Sequence, residues 1–484
     1  MLYTHTPFAP MTESGVKFRC YPSQAQQRLA LQWIGHQRFI KNAKVREREY
    51  FLRFEHKAPA QWGLRPKDDQ AYSQFITDDS AFLKDVPSQL LRNGAYRFMQ
   101  ALTRYRKGLS GPPKVRGQTG RQSALITKEL FTFTELPDST PKEPHHQLQL
   151  GTAKFPFGVL KFKAHRPYKV PNMLVLAVDG GRWTISFCYD NPPVDAKGDP
   201  LILRTQEELL YELQGRKDLS EVIWAGDRGV AIPVAGSDGR HFDYSDTHKA
   251  RRAKAETRKK RYQRRLARCQ KGSNNQKKLR KKVAKQYRYQ ANVRNEFAHQ
   301  TSHELVADER YQVFAFEDLK TKNMTAAPKA KQDAKGRYTA NGAAAKAGLN
   351  AAILRSSWGL VHKYTAYKAA RANKVTLTVP PHHSSQECAA CGHVDAASRK
   401  SQAVFCCTAC GHTANADDNA GQVLKKRAFT KIREGSVENK KPKTVRFRKK
   451  KRLEMERLEV TSESGANQSL LAHGANEAQL RSAA

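Results

Sequence analysis

The chain has 484 residues, of which 39% are hydrophobic, so it is long enough for roughly two to four compact modules, each with its own core. Lys and Arg number 86 against 45 Asp and Glu, and this formal net charge of +41 predicts nucleic acid as the default partner. No stretch approaches the roughly 18 apolar residues that span a bilayer, and no signal peptide is evident, so we expect a cytoplasmic protein with no membrane partner.

The first half of the chain changes from a helical to a β period. Residues 16–21 predict a strand, which ends at Pro22, and Ser23 is a plausible N-cap for a helical pattern over residues 24–110. After a Gly-Pro-Pro break, residues 125–190 alternate with period two around an Asp-Gly-Gly turn, which is typical of antiparallel strands. We therefore expect a small antiparallel β-barrel, completed by the N-terminal strand, into which a helical lobe is inserted.

A second β/α segment begins near residue 220. An apolar strand ends on Asp227, residues 230–234 alternate as its neighbour, and two more strands, 311–316 and 375–379, follow long helical passages. Residues 325–351, rich in Ala, Lys and Gly, predict a mobile loop or lid. Beyond about residue 430 the apolar content is too low for independent folding, so we expect a disordered basic tail.

The stretch between the first two of these strands is the most basic in the chain. Residues 249–295 hold twenty Lys or Arg and one acid, Glu256, and an interruption at Gly272 predicts two helices joined by a turn. A solvated helix face is the alternative, but so many uncompensated charges repel one another unless phosphates neutralise them. The candidate nucleic-acid contacts here are Arg251, Arg252, Arg258, Arg261, Arg264, Arg265, Arg268, Lys278, Arg280 and Lys281.

Five of the eight cysteines lie within residues 388–410. Cys388 and Cys391 form one C-x-x-C pair, Cys407 and Cys410 form another, and fifteen residues separate the pairs, which is the spacing of a zinc ribbon. Four thiolates close a tetrahedral site, so we predict one structural Zn²⁺. Cys406 is an alternative to Cys407 with poorer spacing.

Three acids are candidate metal ligands of a nuclease. Asp227 and Glu317 each end a strand, and Asp417 lies at a predicted helix start just after the cysteine pairs. Phosphodiester hydrolysis with two Mg²⁺ ions about 4 Å apart needs acidic side chains that converge from separate elements. We predict that these three acids bind Mg²⁺, with Mn²⁺ as a substitute, and Asp418 is the reserve for the third ligand.

Several motifs resemble the split RuvC nuclease of TnpB proteins and their descendants, the compact type V CRISPR effectors. The segments that carry the resemblance are Asp227-Arg228-Gly229-Val230, Phe316-Glu317-Asp318-Leu319-Lys320, Ser384-Ser385-Gln386-Glu387-Cys388, Asp417-Asp418-Asn419-Ala420 and, more weakly, Arg19-Cys20-Tyr21-Pro22-Ser23-Gln24. This chain departs from the usual pattern at Gly226, Arg228 and Gly421, but none of these departures removes a carboxylate.

The resemblance implies a multidomain α+β protein. Its parts are a wedge β-barrel (residues 1–23 and 111–215), an inserted helical recognition lobe (24–110), an RNase H-like α/β RuvC domain (216–384 and 414–430), an inserted zinc ribbon (385–413) and a flexible tail (431–484). The catalytic triad of the family corresponds to Asp227, Glu317 and Asp417. Arg92, Arg97 and Arg104 on the helical lobe are candidate contacts to duplex or guide, and a solvated helix face is the alternative.

The implied activity is RNA-guided, magnesium-dependent DNA cleavage in a bacterial or archaeal, nucleoid-associated protein. Its partners are a guide RNA and target double-stranded DNA, with a monomer or a homodimer on one RNA, and a short flanking DNA motif is recognised. Two alternatives stay open. One is a nuclease-inactive RNA-guided repressor, which is expected to have lost acids that this chain retains. The other is a guide-independent DDE-type transposase, against which the zinc ribbon and the basic excess count.

Overall fold

The computed structural model describes residues 13–54, 70–133, 145–166, 168–190 and 201–435. The described residues fall into two units, one within 13–99 and 114–435 and the other at 100–113. All elements below belong to the first unit, apart from the last turns of α2. Most of the predicted tail lies outside the described residues.

The helices and strands follow one another in an order that separates two main sheets. The helices are α1 (Gln24–Phe54), α2 (Ser88–Arg106), α3 (Gln206–Gly215), α4 (Asp246–Ala267), α5 (Asn274–Ala307), α6 (Thr321–Met324), α7 (Ala343–Arg355), α8 (Trp358–Arg371) and α9 (Ala416–Arg433). The strands of the first sheet are β1 (Glu13–Cys20), β2 (Gln122–Thr127), β3 (Phe131–Thr132), β4 (His145–Gly151), β5 (Pro156–Lys163), β6 (Met173–Asp179) and β7 (Arg182–Asp190). The remaining strands are β8 (Ile223–Asp227), β9 (Val234–Gly236), β10 (His241–Phe242), β11 (Val313–Glu317), β12 (Lys331–Gln332), β13 (Tyr338–Thr339), β14 (Val375–Val379), β15 (Val404–Cys406) and β16 (Thr413–Asn415).

The first sheet has seven antiparallel strands in the order β2-β6-β7-β1-β5-β4-β3. Its two edge strands, β2 and β3, are joined by a single 3-10 turn at Lys128–Leu130, so the sheet curls until its edges are close. The inward side chains of alternate positions form an aromatic core, in which the Phe18 ring lies 5.4 Å from Phe187 and 5.7 Å from Phe162. The N-terminal strand thus belongs to this sheet, as the sequence predicts, and it lies at its centre.

The helices α1 and α2 pack on this sheet. Ser23 caps α1 as predicted: its Oγ accepts a hydrogen bond from the Gln26 amide, and the Gln26 side chain accepts one from the Ser23 amide. The buried Gln37 amide group donates to the Leu125 carbonyl and accepts from the Leu125 amide, both at 2.8 Å, which ties α1 to β2. Satisfying both backbone groups removes the cost of burying them.

The second main sheet has five strands in the order β10-β9-β8-β11-β14. The strands β8, β11 and β14 are parallel, and β9 runs antiparallel to β8. Alternation sends Ala225 and Ala315 into a core with Leu424 of α9, whereas Trp224 and Phe316 enter a separate core on the other face with residues of α5 and α8. The sheet is therefore covered by helices on both faces.

Three stretches differ from the sequence-based expectation. The neighbour of the first strand, predicted over residues 230–234, is β9 at Val234–Gly236, so of the alternating apolar residues only Val234 lies in it. The segment 325–351, predicted as a loop, contains the hairpin β12–β13 and the start of α7, where a run of alanines favours helix. The sequence also places residues 206–215 with the barrel, but α3 packs through Leu209, Leu210 and Leu213 into the core beneath β8 and α9. By contrast, the two-helix prediction for the basic stretch is confirmed by α4 and α5. Within the described part of the chain, no helix is long and apolar enough to cross a membrane.

Gly226 makes room for the indole ring of Trp224. A Cβ at Gly226 would lie 2.5 Å from Cη2 of Trp224, and one at the facing Gly236 would lie 2.8 Å from its Nε1. The indole is held there because its Nε1 donates a hydrogen bond to Asp238. A glycine at position 226 is thus required by the bulk of the tryptophan two residues earlier.

We expect Gly226→Ala to destabilise the protein by about 1–3 kcal/mol, since the added methyl group overpacks a well-filled core. The measurement is urea unfolding followed by tryptophan fluorescence. Gly215→Ala is the matched control, because a Cβ there meets nothing within 4 Å, and it should change the free energy of unfolding by less than about 0.5 kcal/mol. Equal stability of the two variants would contradict this account of Gly226.

Candidate functional site

Asp227 and Glu317 lie at the same edge of the five-stranded sheet. They are the last residues of the parallel neighbours β8 and β11, and Gly226 pairs with Phe316 one position earlier. Because Ala225 and Ala315 face α9, the alternation of a strand directs both acids to the α9 side as well. Asp417 lies in the first turn of α9, so the fold brings the three predicted acids towards one region.

The charges of Glu317 and Asp417 both act on the Asp227 carboxyl. Burial, the charge of Glu317 and the charge of Asp417 raise the pKa of Asp227 to about 7. Burial also raises the pKa of Glu317, although the Arg228 guanidinium offsets part of this rise. At Asp417, burial raises the pKa while Arg399 and His241 oppose it. Buried carboxylates that disfavour one another's charge are suited to binding a cation.

Glu317 is held by side chains that the sequence analysis did not assign to the site. The Ser384 hydroxyl donates to its Oε1 at 3.1 Å, and the buried Arg228 guanidinium donates to its main-chain carbonyl oxygen. Arg228 therefore ties the end of β8 to the end of β11. Its Nε is buried without a hydrogen-bond partner.

The structure distinguishes the two adjacent acids at the start of α9. A nitrogen of the Arg399 guanidinium lies 3.5 Å from Oδ1 of Asp417, whereas Asp418 accepts a 2.7 Å contact from Nε2 of His241 on β10. The Asn415 side chain caps the helix by accepting from the amides of both acids. Asp418 thus contacts His241, whereas the charge of Asp417 raises the pKa of Asp227. Neither Arg399 nor His241 carried a signal in the sequence, since each is distant along the chain from its partner.

The four predicted cysteines form a compact cluster. The sulfurs of Cys388, Cys391, Cys407 and Cys410 all lie within 4.8 Å of one another, and the pairs Cys388–Cys410 and Cys391–Cys407 are 3.7 and 3.6 Å apart. Zn–S bonds of about 2.3 Å give a tetrahedron with edges of about 3.8 Å, so the cluster fits Zn²⁺. Cys406 is not part of the cluster, and the choice of Cys407 is supported.

The pKa values of Cys407 and Cys410 are shifted in opposite directions. The Cys410 amide donates to the Cys407 sulfur and contributes most to lowering the pKa of Cys407 to about 6. At Cys410 the His412 amide lowers the pKa, but the neighbouring thiols outweigh it and raise the pKa to about 12. Such opposed values within one cluster favour a bound dication. Within the described ranges, no other group of Cys, His, Asp or Glu brings three ligand atoms within 4.8 Å of one another. The three acids therefore form a more open arrangement than the thiols.

The predicted basic contacts fall into two groups. Exposed residues are Arg251, Arg258, Arg261, Arg264, Arg265, Arg268, Lys278, Arg280 and Lys281 on α4 and α5, and Arg104 on α2. The other three have partners in the protein. Arg252 stacks 4.2 Å above the Tyr244 ring, Arg92 pairs with Glu129 at 2.7 Å, and the half-buried Arg97 donates to the Ser123 carbonyl. Arg97 therefore supports the contact between α2 and β2.

Comparisons with known proteins agree with the motifs. Residues 232–327 match a family model described as "Probable transposase", and residues 358–424 match one described as "Cas12f1-like, TNB domain". The chain is 34% identical over 196 residues to "Putative RNA-guided DNA endonuclease InsQ" of Escherichia coli strain K12, covering 40% of this chain and 46% of that protein. It is 45% identical over 56 residues to "CRISPR-associated endodeoxyribonuclease Cas12f1" of Sulfoacidibacillus thermotolerans, covering 12% of this chain and 13% of that protein.

Among solved structures, a Cas12f1–sgRNA–target DNA complex aligns with 85% of this chain and 98% of its own, with a TM-score of 0.46 and 12% identity. The sequence matches to the two curated relatives cover less than half the length of each relative. Within those limits, the resemblance to TnpB proteins and compact type V effectors is confirmed.

Replacing one cluster cysteine should release the metal. We expect Cys388→Ser and Cys407→Ser to lose about one zinc per chain, because three thiolates do not close the tetrahedral site. Cys406→Ser is the control, one residue from a ligand but outside the cluster, and should keep its zinc. Elemental analysis of the purified variants measures this. Zinc loss from Cys406→Ser with retention in Cys407→Ser would exchange the two assignments.

Asp227→Asn should stabilise the metal-free protein in a pH-dependent way. In the folded protein the Asp227 carboxyl has a pKa of about 7, whereas its ordinary pKa, expected in the unfolded chain, is 3.8. Between these two pH values the folded protein keeps the proton and the unfolded chain loses it. The wild type therefore loses stability as the pH rises from about 4 to 7, by at most about 4 kcal/mol, and the neutral amide does not.

The experiment is urea unfolding in the absence of divalent ions at pH 4, 6 and 8. The stability advantage of Asp227→Asn should be near zero at pH 4 and largest at pH 8. Asp246→Asn removes a fully exposed carboxylate and should show a small, nearly constant difference. A constant difference for Asp227→Asn as well would show that its carboxyl is not buried among other acids.

Proposed function

We propose that the protein is an RNA-guided DNA endonuclease that cleaves DNA at a single two-metal RuvC site. The observation that carries the proposal is the arrival of Asp227 and Glu317 at one sheet edge, on the side where α9 begins with Asp417. In this proposal the seven-stranded sheet is the wedge, α1 and α2 form the recognition lobe, and the cysteine cluster is the structural zinc ribbon.

The strand order supports an RNase H-like nuclease domain. Three strands in an antiparallel meander, β8 to β10, are followed by the parallel additions β11 and β14 on the other side of β8. This order places the ends of β8 and β11 side by side, although 85 residues or more separate them along the chain, and long helices cover both faces.

The carboxylate oxygens suit Mg²⁺ or Mn²⁺, which prefer hard oxygen ligands. When bound, such ions lower the pKa of a coordinated water and stabilise charge on the attacked phosphate. The residues of the chain prepare this chemistry. Glu317 is buried, the Ser384 hydroxyl fixes one of its oxygens, and Arg399 reaches Asp417 from the cysteine-rich insert.

The guide RNA and the target duplex are the partners that the charge distribution supports. The exposed Lys and Arg of α4 and α5 offer a continuous cationic surface that releases counterions when phosphates bind. Sequence selection is then left to base pairing, so the protein itself reads shape and a short flanking motif. The number of protein copies on one RNA stays a prediction.

A guide-independent DDE-type transposase is the second candidate, because the matched family model over residues 232–327 is described as a transposase. Both candidates use the same acids, but they differ in the need for RNA. The inactive repressor is less favoured, since all three acids are present and lie near one another.

The test is cleavage of a DNA that matches an RNA copurified with the protein. We expect a discrete nuclease-protected RNA, cutting only of matching DNA, and cutting only with Mg²⁺ or Mn²⁺. Asp227→Ala, Glu317→Ala and Asp417→Ala should each reduce the cleavage rate by more than about a hundredfold, because each removes a metal ligand. Guide and target binding, measured by gel shift, should persist.

Asp418→Ala is the matched control, since it removes a neighbouring acid that His241 engages, and it should retain at least about a tenth of the activity. If Asp418→Ala is inactive and Asp417→Ala is active, the third ligand is Asp418. If RNA-free protein cuts DNA equally well, the transposase candidate replaces the guided nuclease.

A further inference from the structure

The segment that follows the first carboxylate is anchored at two points. Arg228, the residue after Asp227, is only 8% exposed, and its guanidinium donates a hydrogen bond to the main-chain carbonyl oxygen of Glu317. The carbonyl oxygen of Gly229 accepts a 2.8 Å hydrogen bond from Nε1 of the buried Trp358 on α8. The two residues after Asp227 are therefore tied to two different elements of the fold.

The main-chain pairing between β8 and β11 ends one residue before the two acids. Its last pair joins Gly226 to Phe316. At the next position Asp227 pairs with β9 and Glu317 pairs with β14, so each acid is held by the strand on its outer side. The hydrogen bond from the Arg228 side chain to the Glu317 carbonyl bridges the inner side. A side chain thus continues the connection between the two strands at the position of the carboxylates.

The second anchor is itself held in place. Trp358 is the first residue of α8, and Ser357 before it has a φ of +66° although it is not a glycine. The hydroxyl groups of Ser357 and Tyr244 share a 2.7 Å hydrogen bond that lies within the protein core. A strained main-chain conformation of this kind persists only where its surroundings fix it. The turn after the first acid therefore has a fixed base, from which the Arg228 side chain reaches β11.

The Arg228 guanidinium lies among carboxylates that repel one another. Burial lowers its pKa, and the charges of Glu317, Asp227 and Asp318 oppose this shift. Burial raises the pKa of Asp227 to about 7, with further contributions from the Glu317 charge and from a hydrogen bond that the two carboxyl groups share. When both are ionised, their repulsion acts to separate the ends of the two strands. A fixed positive charge here has a second effect, because it also repels any cation that the acids bind.

We propose that Arg228 is a positioning residue for the divalent ion, because it holds the Asp227 and Glu317 carboxylates at the separation in which they bind one cation together. Its hydrogen bond goes to the main chain of Glu317, so it fixes the position of this residue without using a carboxylate oxygen. Groups that orient metal ligands in this way contribute strongly to metal affinity. The inference rests on the proposed function only in taking Mg²⁺ or Mn²⁺ as the ligand of these acids.

The test measures Mn²⁺ binding to full-length protein that has been freed of RNA at high salt without a chelator. The electron paramagnetic resonance signal of the free ion gives the dissociation constant and requires no cleavage. Arg228→Met removes the donor and the charge but keeps an unbranched side chain, whereas Arg228→Lys keeps the charge and a donor. Lys217→Met is the control, since it removes an exposed charge that precedes β8, away from the acids. Asp227→Ala defines the Mn²⁺ that binds elsewhere, and thermal unfolding verifies that every variant folds.

We expect Arg228→Met to raise the Mn²⁺ dissociation constant by about tenfold or more, and Arg228→Lys and Lys217→Met to change it by less than about threefold. The sign discriminates, because removal of a nearby positive charge alone strengthens cation binding. Arg228→Ala leaves a cavity, so millimolar guanidinium should restore most of its lost affinity and the same concentration of sodium chloride should not. With guide RNA bound, the cleavage defect of Arg228→Met should be largest at low Mg²⁺ and should shrink as Mg²⁺ approaches saturation.

Unchanged or tighter Mn²⁺ binding by Arg228→Met would overturn the inference, because the guanidinium would then act as a repelling charge or have no effect on the ion. Weaker binding that neither Arg228→Lys nor added guanidinium restores would overturn it as well, since the loss would come from packing alone. If the wild type binds Mn²⁺ through Asp227 and Arg228 as described but cuts no guided DNA, the proposed function fails while the role of Arg228 stands. The two failures are therefore distinguishable.

Discussion

The parallel pairing of β8 with β11 is the constraint on which the candidate site depends. Main-chain hydrogen bonds fix the register of Gly226 against Phe316, and this register alone decides that Asp227 and Glu317 end side by side. The apolar neighbours Ala225 and Ala315 face α9, so a shift of one residue in either strand would bury charge in one core and remove an acid from the site. The packing of both faces of the five-stranded sheet therefore holds two carboxylates side by side although they repel each other.

The cysteine-rich insert positions the third acid. The Asn419 side chain accepts from the Ala389 amide at 2.9 Å and donates to the Glu387 carbonyl at 2.7 Å, which ties the start of α9 to the first cysteine pair. Arg427, which lies further along α9, also pairs with Glu387. Asp417 lies two residues before Asn419 and also contacts Arg399 of the insert. The fold of the insert and the position of the third carboxylate are therefore coupled. Hydrogen bonds and an ion pair therefore connect the cysteine-rich insert to the candidate third ligand.

Much of this arrangement is predictable from the sequence, and the reason is periodicity. The strands that end on Asp227 and Glu317, the N-terminal strand and the two basic helices all follow from local patterns of apolar residues and turn signals. The spacing of the cysteines likewise determines their cluster, because a tight C-x-x-C turn is local. The helix α7 was missed because low apolar content in residues 325–351 resembles a loop, although alanine favours helix without any amphipathic pattern. The contacts of Ser384, Arg399 and His241 depend on tertiary packing between distant segments, and no local pattern encodes them.

The acids at the edge of the five-stranded sheet and the basic pair on the seven-stranded sheet are both sets of like charges that the fold holds close together. In one, packing forces carboxylates together at low dielectric and raises the pKa of Asp227 to about 7, and in the other a sheet register sets Arg19 opposite Lys163. Each arrangement costs stability in the free protein and is relieved by a counter-charge, so a bound ion of opposite sign stabilises the folded chain by linkage. A chain with a net charge of +41 can keep an anionic site only where burial and specific strand pairing, rather than bulk electrostatics, set the local field.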